Sequence, residues 1–145
     1  MLNPDHVGRK YPASQPYEVS RAKIVEFARA LKDDNPAYFA LEPIAPPTFA
    51  AVISAQAWEP FFADPELDLK LSRTMHADQR FELNRPLKPG DEVLASLTIE
   101  KVRNRGLTDF VTVRVELTTS DGEILGNAIS TLLHTREESE EGVAA

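Results

Sequence analysis

The stretch PPTFAAVISAQAWEPFF at residues 46–62 decides the fold of this chain. Its proline pair suits the start of a helix, and residues 48–58 contain no Gly, Pro or charged side chain. At the helical period, one face carries Phe49, Val52, Ile53, Gln56 and Ala57, and small residues cover the other face. A helix that is apolar or small all round is predicted to be buried on every side. It is too short to span a bilayer, which needs about 20 residues.

Four later stretches alternate apolar and polar residues with the period of two that is typical of half-buried strands. They cover residues 76–84, 92–103, 108–119 and 123–135. The segments between them are rich in the turn formers Gly, Pro, Asn and Asp. One buried helix ahead of a long antiparallel meander predicts an α+β fold in which a curved sheet rolls around the helix.

Shorter elements are predicted before the buried helix. Residues 17–19 favour a short edge strand, and residues 22–31 have the apolar spacing of an amphipathic helix with Ser20 as its N-cap. Residues 33–36, Asp-Asp-Asn-Pro, are typical of a turn that ends this helix.

Composition limits the classes of function. The 145 residues are expected to form one domain over residues 1–136, followed by a disordered acidic tail at residues 137–145. A net charge of −7 argues against a nucleic-acid partner, which requires a basic surface. With no Cys and three scattered His, no metal site or other cofactor is expected. The absence of a leader and of a long apolar run predicts a cytoplasmic protein without a membrane partner.

Five motifs occur in order along the chain: VGR at 7–9, DDNPAYF at 33–39, APPTF at 45–49, HADQRFE at 76–82 and RPLKPGD at 85–91. Together they resemble the N-terminal MaoC-like dehydratase family, which includes the HadA-like and HadC-like subunits of bacterial (3R)-hydroxyacyl-ACP dehydratase. The resemblance covers residues 7–136. It implies a hot-dog fold, a homodimer or a heterodimer with a catalytic MaoC-like subunit, and an acyl-CoA or acyl-ACP thioester as ligand.

The catalytic motif of related (R)-specific enoyl hydratases is incomplete in this chain. That motif reads Asp-x-Asn-Pro-x-His, and its Asp and His activate the water that is added or lost. Asp33 and Asn35 match the motif, but Tyr38 stands at the His position. A phenol titrates near pH ~10 and is a poor base at neutral pH. By resemblance, such a subunit shapes the acyl-chain site while a partner supplies the Asp and His. The crossover at residues 40–45 is also shorter than is usual in the family.

Five further residues are candidates for substrate binding, and each has a structural alternative. Gln79 and Arg80 can hold a thioester carbonyl or a phosphate, or they can form cross-strand pairs. His76 can be a displaced base, or a hydrogen-bonded strand histidine near a dimer seam. Trp58 and Phe62 can line an acyl channel, or they can belong to the core.

The main hypothesis is therefore a non-catalytic or weakly catalytic subunit of a (3R)-hydroxyacyl-thioester dehydratase. The alternatives are a homodimeric binding protein for acyl-CoA or acyl-ACP and a hot-dog thioesterase, for which Glu42 is the candidate carboxylate. Arg103 and Arg105, beside a turn, are candidates for contacts with pantetheine phosphates. Self-association is also expected, since the strands that start at Thr108 and Glu123 are long and a long free edge needs a cover.

Overall fold

The sheet has five strands, all paired antiparallel in the order β1-β3-β4-β5-β2. The strands are β1 at Tyr17–Glu18, β2 at Thr74–Leu83, β3 at Glu92–Arg105, β4 at Thr108–Thr119 and β5 at Ile124–Thr135. This is a computed structural model, and it describes residues 1–138. Its α+β hot-dog fold, in which the curled sheet surrounds a central helix, confirms the predicted fold class. The predicted tail beyond Glu138 lies outside the described residues.

The free edge of the sheet is not where the sequence placed it. The strands that begin at Thr108 and Ile124 are β4 and β5, and each has a neighbour on both sides. The long edge strand is β2, which pairs only with β5 and has mostly exposed side chains. The expectation that β4 and β5 supply the open edge was therefore wrong. The order of the strands in the sequence does not reveal that the last strand, β5, pairs with β2 and so leaves β2 at the edge.

The central helix spans residues 47–63 and alternates between α and 3-10 turns. Its α-helical parts are α2 at Ala50–Ser54 and α3 at Trp58–Ala63, and 3-10 turns cover Pro47–Phe49 and Ala55–Ala57. Pro60 lacks an N–H and cannot donate to the carbonyl four residues earlier. This missing bond accounts for the tighter turn just before α3.

Only one side of the central helix is buried. That side carries Phe49, Ala50, Ile53, Ser54, Ala57 and Phe61. Val52 and Gln56 are exposed, as are Ala51 and Ala55. The prediction of burial on every side, with Val52 and Gln56 on the same face as Phe49, was wrong. The sheet closes over one side of the helix, and the other side faces solvent in the single chain.

The core lies between this helix and the concave face of the sheet. Strand alternation sends the inward residues to it: Val93, Ala95, Leu97, Ile99, Val111, Val113, Val115, Leu117, Ala128 and Leu132. Aromatic rings extend the core from the helix, since Phe49 meets Phe27 edge-on at 5.3 Å between ring centroids. Burial of this apolar surface is the dominant stabilising contribution to the fold.

The helix before the crossover is α1, at Arg21–Ala30. Ser20 caps it, since its Oγ accepts a hydrogen bond from the Lys23 amide at 3.2 Å. Ile24 and Ala28 face the core. The predicted helix at residues 22–31 and its N-cap are confirmed to within one residue.

Gly126 sets how closely β2 approaches β5. A Cβ atom at this position would lie 2.1 Å from the Glu82 carbonyl oxygen, and its φ of +144° is one that side chains rarely adopt. Only glycine therefore allows β5 to pair with Leu83 at the end of β2. That end of β2 forms one wall of the cleft described next.

Candidate functional site

The Asn-Pro turn that carries the incomplete motif is a pair of side-chain caps. Asp33 Oδ1 accepts a hydrogen bond from the Asn35 amide at 3.1 Å, and Asn35 Oδ1 accepts one from the Ala37 amide at 3.0 Å. These caps lead into the 3-10 turn Pro36–Tyr38. Asp33 is exposed, and its hydrogen bond orders the turn.

The turn opens onto a cleft of about 380 Å³ where the central helix begins. Three segments of the chain meet here: the turn and crossover, the helix start, and the end of β2. The lining residues are Asn35, Tyr38, Ile44, Ala45, Pro47, Phe81, Leu83, Asn84, Arg85 and Pro86. Tyr38 is only 8% exposed, and its phenol makes no hydrogen bond to another described residue. The cleft thus offers an apolar wall with one phenol and two side-chain amides, those of Asn35 and Asn84.

Arg85 is the only charged residue among those lining the cleft, and its charge is already paired. Its guanidinium donates to both carboxylate oxygens of Asp91, each at 2.9 Å, and to Glu123 at 2.9 and 3.0 Å. These hydrogen bonds, first that to Asp91, raise the pKa of Arg85. Burial works to raise the pKa of Asp91, but the bonds from Arg85 and from the Lys88 amide outweigh it and hold that pKa low. No residue lining the cleft can serve as a general base near neutral pH.

Gln79 and Arg80 lie outside this cleft. The Gln79 amide donates to the Ile129 carbonyl at 3.3 Å and accepts from the Ser130 hydroxyl at 2.6 Å, so it ties β2 to β5. Arg80 is exposed on the edge strand, 3.3 Å from Glu82. Gln79 thus makes the cross-strand contacts that were its alternative to ligand binding, whereas the ion pair of Arg80 lies within β2.

The remaining candidates, Trp58 and Phe62 on the central helix and His76 on β2, form an aromatic group outside the cleft. The ring centroids of Trp58 and His76 lie 5.3 Å apart, and those of Trp58 and Phe62 lie 6.3 Å apart. His76 is exposed. Trp58 is eleven residues beyond Pro47, which corresponds to about 16 Å along a helix. These three residues come together beside the start of β2, away from the Asn35–Tyr38 turn.

A model of the family described as FAS1-like, dehydratase domain region, matches residues 5–127. The chain belongs to this family. A UPF0336 protein of Cutibacterium acnes is 55% identical over 132 residues, which cover 91% of this chain and 93% of that protein. A solved chain of the C-terminally truncated HadBC (3R-hydroxyacyl-ACP dehydratase) complex of Mycobacterium tuberculosis is 31% identical with a TM-score of 0.78, over 91% of this chain and 99% of that one. A MaoC-like dehydratase at 24% identity and a TM-score of 0.78 shares the fold over 90% of this chain and 42% of its own.

Most residues that line the cleft of this FAS1-like dehydratase domain were not predicted as site residues. Ile44 and Ala45 come from the short crossover, and Phe81 and Leu83 come from the end of β2. The available signal was the RPLKPGD motif, which starts at Arg85 directly after β2 and contributes two cleft residues. Glu42, the candidate thioesterase carboxylate, is exposed on the crossover outside this cleft.

Among residues 1–138, no three His, Cys, Asp or Glu side chains are grouped so that they could hold a metal ion. No helix in the same range has the length and apolar character needed to cross a membrane.

Proposed function

We propose that this chain is the subunit of a (3R)-hydroxyacyl-thioester dehydratase, equally an (R)-specific enoyl hydratase, that shapes the acyl-chain site without supplying the catalytic base. The observation that carries this proposal is Tyr38, buried in an apolar cleft at the position where the hydratase motif has His. Asp33, Asn35 and Pro36 keep the turn of that motif while the base is missing.

The chemistry explains why a second chain is needed. Elimination of water from a 3-hydroxyacyl thioester removes a proton from the carbon next to the carbonyl and protonates the departing hydroxyl. Positioned acid and base groups contribute roughly 10²–10⁴-fold each to such steps. The residues that line this cleft include no His, Asp or Glu, so the proposal takes the acid and base from a partner.

Two open surfaces support a paired assembly. The edge of β2 has unpaired backbone groups along most of its length, and an open edge of this kind is a template for another strand. The exposed side of the central helix, with Val52 at 38% exposure, lies uncovered as well. The similar mycobacterial chain is part of a complex, HadBC.

Co-expression tests the proposal. The full chain is produced with a MaoC-like protein that carries the intact Asp-x-Asn-Pro-x-His motif, and complex formation and hydration of enoyl-CoA are measured. We expect a stable heteromer whose activity is lost when the partner's His is replaced by Ala. The matched Asp33→Asn change in this chain is expected to leave the activity within about twofold. Failure to associate with any such partner, or equal dependence on Asp33, would refute the subunit role.

A homodimeric acyl-thioester binding protein is the second candidate, and the charge pattern of β2 favours it. Antiparallel pairing of two β2 strands about Gln79 places Asp78 of each copy opposite Arg80 of the other. Opposite charges across strands stabilise the pair. Strong thermal stabilisation of the isolated chain by acyl-CoA, with no turnover and no heteromer, would favour this candidate over the subunit.

A further inference from the structure

A second groove lies directly beside the cleft, across the short crossover. It has a volume of about 560 Å³ and is lined by Arg21, Leu41, Glu42, Pro43, Ile44, Lys88 and Pro89. Ile44 lines both the groove and the cleft. The crossover that separates them is fixed by backbone hydrogen bonds, from the Ile44 amide to Ala37 O at 3.1 Å and from the Ala45 amide to Leu87 O at 2.7 Å. The two spaces are therefore neighbouring parts of one surface.

Two unpaired cations border this groove. Arg21 begins α1, and its one hydrogen bond to a described residue runs from Nε to Ala40 O at 3.4 Å. Lys88 lies in the turn before β3. Neither side chain has an ion pair within residues 1–138, in contrast to the nearby Arg85, which is bound to two carboxylates. On a chain of net charge −7, two cations without an ion pair on one groove favour an anionic ligand.

Most of the other residues that line the groove are apolar. Leu41 is 90% exposed and Ile44 is 37% exposed, so both offer apolar surface to a ligand in the groove. Glu42 is the one acidic residue in the lining, and it is exposed. A matching ligand has an anionic head at Arg21 and Lys88 and a long, mostly uncharged arm that passes Ile44 into the cleft.

We propose that Arg21 and Lys88 bind the phosphate of the phosphopantetheine arm that carries the acyl thioester. The arm crosses Leu41 and Ile44 and delivers the acyl group to the cleft at Tyr38. This inference rests on the proposed function, because it takes the ligand to be an acyl thioester. Phosphopantetheine is common to coenzyme A and to acyl carrier protein, so the groove recognises the part that both carriers share.

The arginines named from the sequence for this role lie at the other end of the sheet. Lys88 precedes the start of β3, and Arg103 and Arg105 lie at its far end. A strand of 14 residues is roughly 45 Å long at about 3.3 Å per residue. Arg103 stacks over the Phe110 ring, 4.9 Å from its centroid. Arg21 and Lys88 replace them as the cations that can reach a ligand in the cleft.

Binding of phosphopantetheine and of pantetheine, which lacks the phosphate, to the full chain tests this assignment. We expect wild-type protein to bind phosphopantetheine at least tenfold more tightly than pantetheine. The Arg21→Ala/Lys88→Ala variant should lose that difference without any change for pantetheine. The matched variant Arg29→Ala/Lys32→Ala removes the same charge from exposed positions outside the groove and should bind as wild type. Equal affinity of wild-type protein for both ligands, or equal weakening in the matched variant, would overturn the proposal.

Two further binding measurements identify the carrier. They also allow the phosphate assignment to fail independently of the proposed function. Crotonyl-CoA and crotonyl-ACP should both weaken in the Arg21→Ala/Lys88→Ala variant, and Glu42→Gln should strengthen both. Weakening of crotonyl-ACP alone would overturn the phosphate assignment, because the cations would then contact the carrier protein. These binding assays need no catalytic partner. Failure of the chain to form a heteromer can therefore be distinguished from ligand binding that does not depend on the phosphate.

Discussion

The two ends of the sheet differ in what surrounds their buried polar side chains. At the end that holds the cleft, Tyr38 faces an apolar space and its phenol makes no hydrogen bond to a described residue. At the other end, Asp109 is 1% exposed and His134 is 3% exposed. The Asn104 amide donates to Asp109 at 2.5 Å, Arg136 Nε lies 3.2 Å from the same carboxylate, and His134 Nδ1 lies 3.7 Å from it.

This comparison shows that residue types alone do not identify a catalytic site. Asp109 and His134 are the residue types of the acid–histidine pair that general base catalysis uses, but His134 Nδ1 makes no hydrogen bond to a described residue. The other ring nitrogen of His134, Nε2, accepts a hydrogen bond from the Lys70 amide at 3.2 Å, so it is not free to take a proton from a ligand. The buried pair joins β4, β5 and the loop before β2. The cleft, which matches the family motif, lacks the base.

The largest expected effect is therefore a loss of stability when Asp109 is replaced. Asp109→Ala leaves His134 and Arg136 without their buried carboxylate, and loss of one partner from a buried charged group costs about 3–5 kcal/mol. Urea denaturation should show this loss in the free energy of unfolding. Asp121→Ala, in the exposed turn between β4 and β5, should stay within about 0.5 kcal/mol of wild type. Similar small losses in both variants would mean that the Asp109 cluster does not stabilise the fold.

The strands were predictable because their signal is local. Alternation placed strands at residues 108–119 and 123–135, and the structure has Thr108–Thr119 and Ile124–Thr135. Which side of the central helix is buried was not predictable, because it depends on how strands that are distant in sequence close over Ala50 and Ser54.

Site residues could be predicted from the sequence only where they lie close together in the chain. Asp33 and Asn35 were recognised because they match a short sequence motif, and in the structure their hydrogen bonds are equally local, spanning two residues each. The walls of the cleft come from Ile44, Phe81 and Leu83, which no local pattern connects. Gln79 shows why residue type alone does not decide a role, since a strand amide that suits a ligand equally suits the neighbouring Ser130.

The second expected effect concerns the cleft end and depends on pH. The folded-state pKa of Asp91 is lowered, so its stabilising contribution is present above the unfolded value of ~3.9 and is lost as the pH falls through the folded value. Arg85→Gln removes the bonds to Asp91 and should cost about 2 kcal/mol at neutral pH. Burial then acts to raise the pKa of Asp91. The difference from wild type should therefore shrink as the pH falls below about 4.

Unfolding curves from neutral pH to about pH 2.5 measure this difference. Arg80→Gln is the matched control, because the Arg80–Glu82 pair is exposed and such pairs contribute about 0–1 kcal/mol. A difference between Arg85→Gln and wild type that stays constant or grows on acidification would contradict the pairing of Arg85 with ionised Asp91.

The smallest expected effect is a trace of activity from Tyr38→His. This change restores the Asp-x-Asn-Pro-x-His motif that starts at Asp33. Imidazole titrates near pH ~6.5, so enoyl-CoA hydration by the variant should rise through that pH. Wild-type protein alone should show none. Because Tyr38 is 8% exposed and helps to fill the cleft wall, a stability loss of about 1 kcal/mol is expected.

Two matched variants decide what such activity means. Tyr38→Phe keeps the ring without adding a base, so it should remain inactive and nearly as stable as wild type, since the phenol makes no hydrogen bond to another described residue. In the structure, Asp33 accepts a hydrogen bond from the Asn35 amide. If Asp33 turns away from that amide towards a bound ligand, adding Asp33→Asn to Tyr38→His should abolish the gained activity. Robust hydration by the wild-type protein, unaffected by Asp33→Asn, would instead place the reaction away from this turn. His76, exposed beside Trp58, would then be the next residue to replace, because its ring is not enclosed in a buried network as that of His134 is.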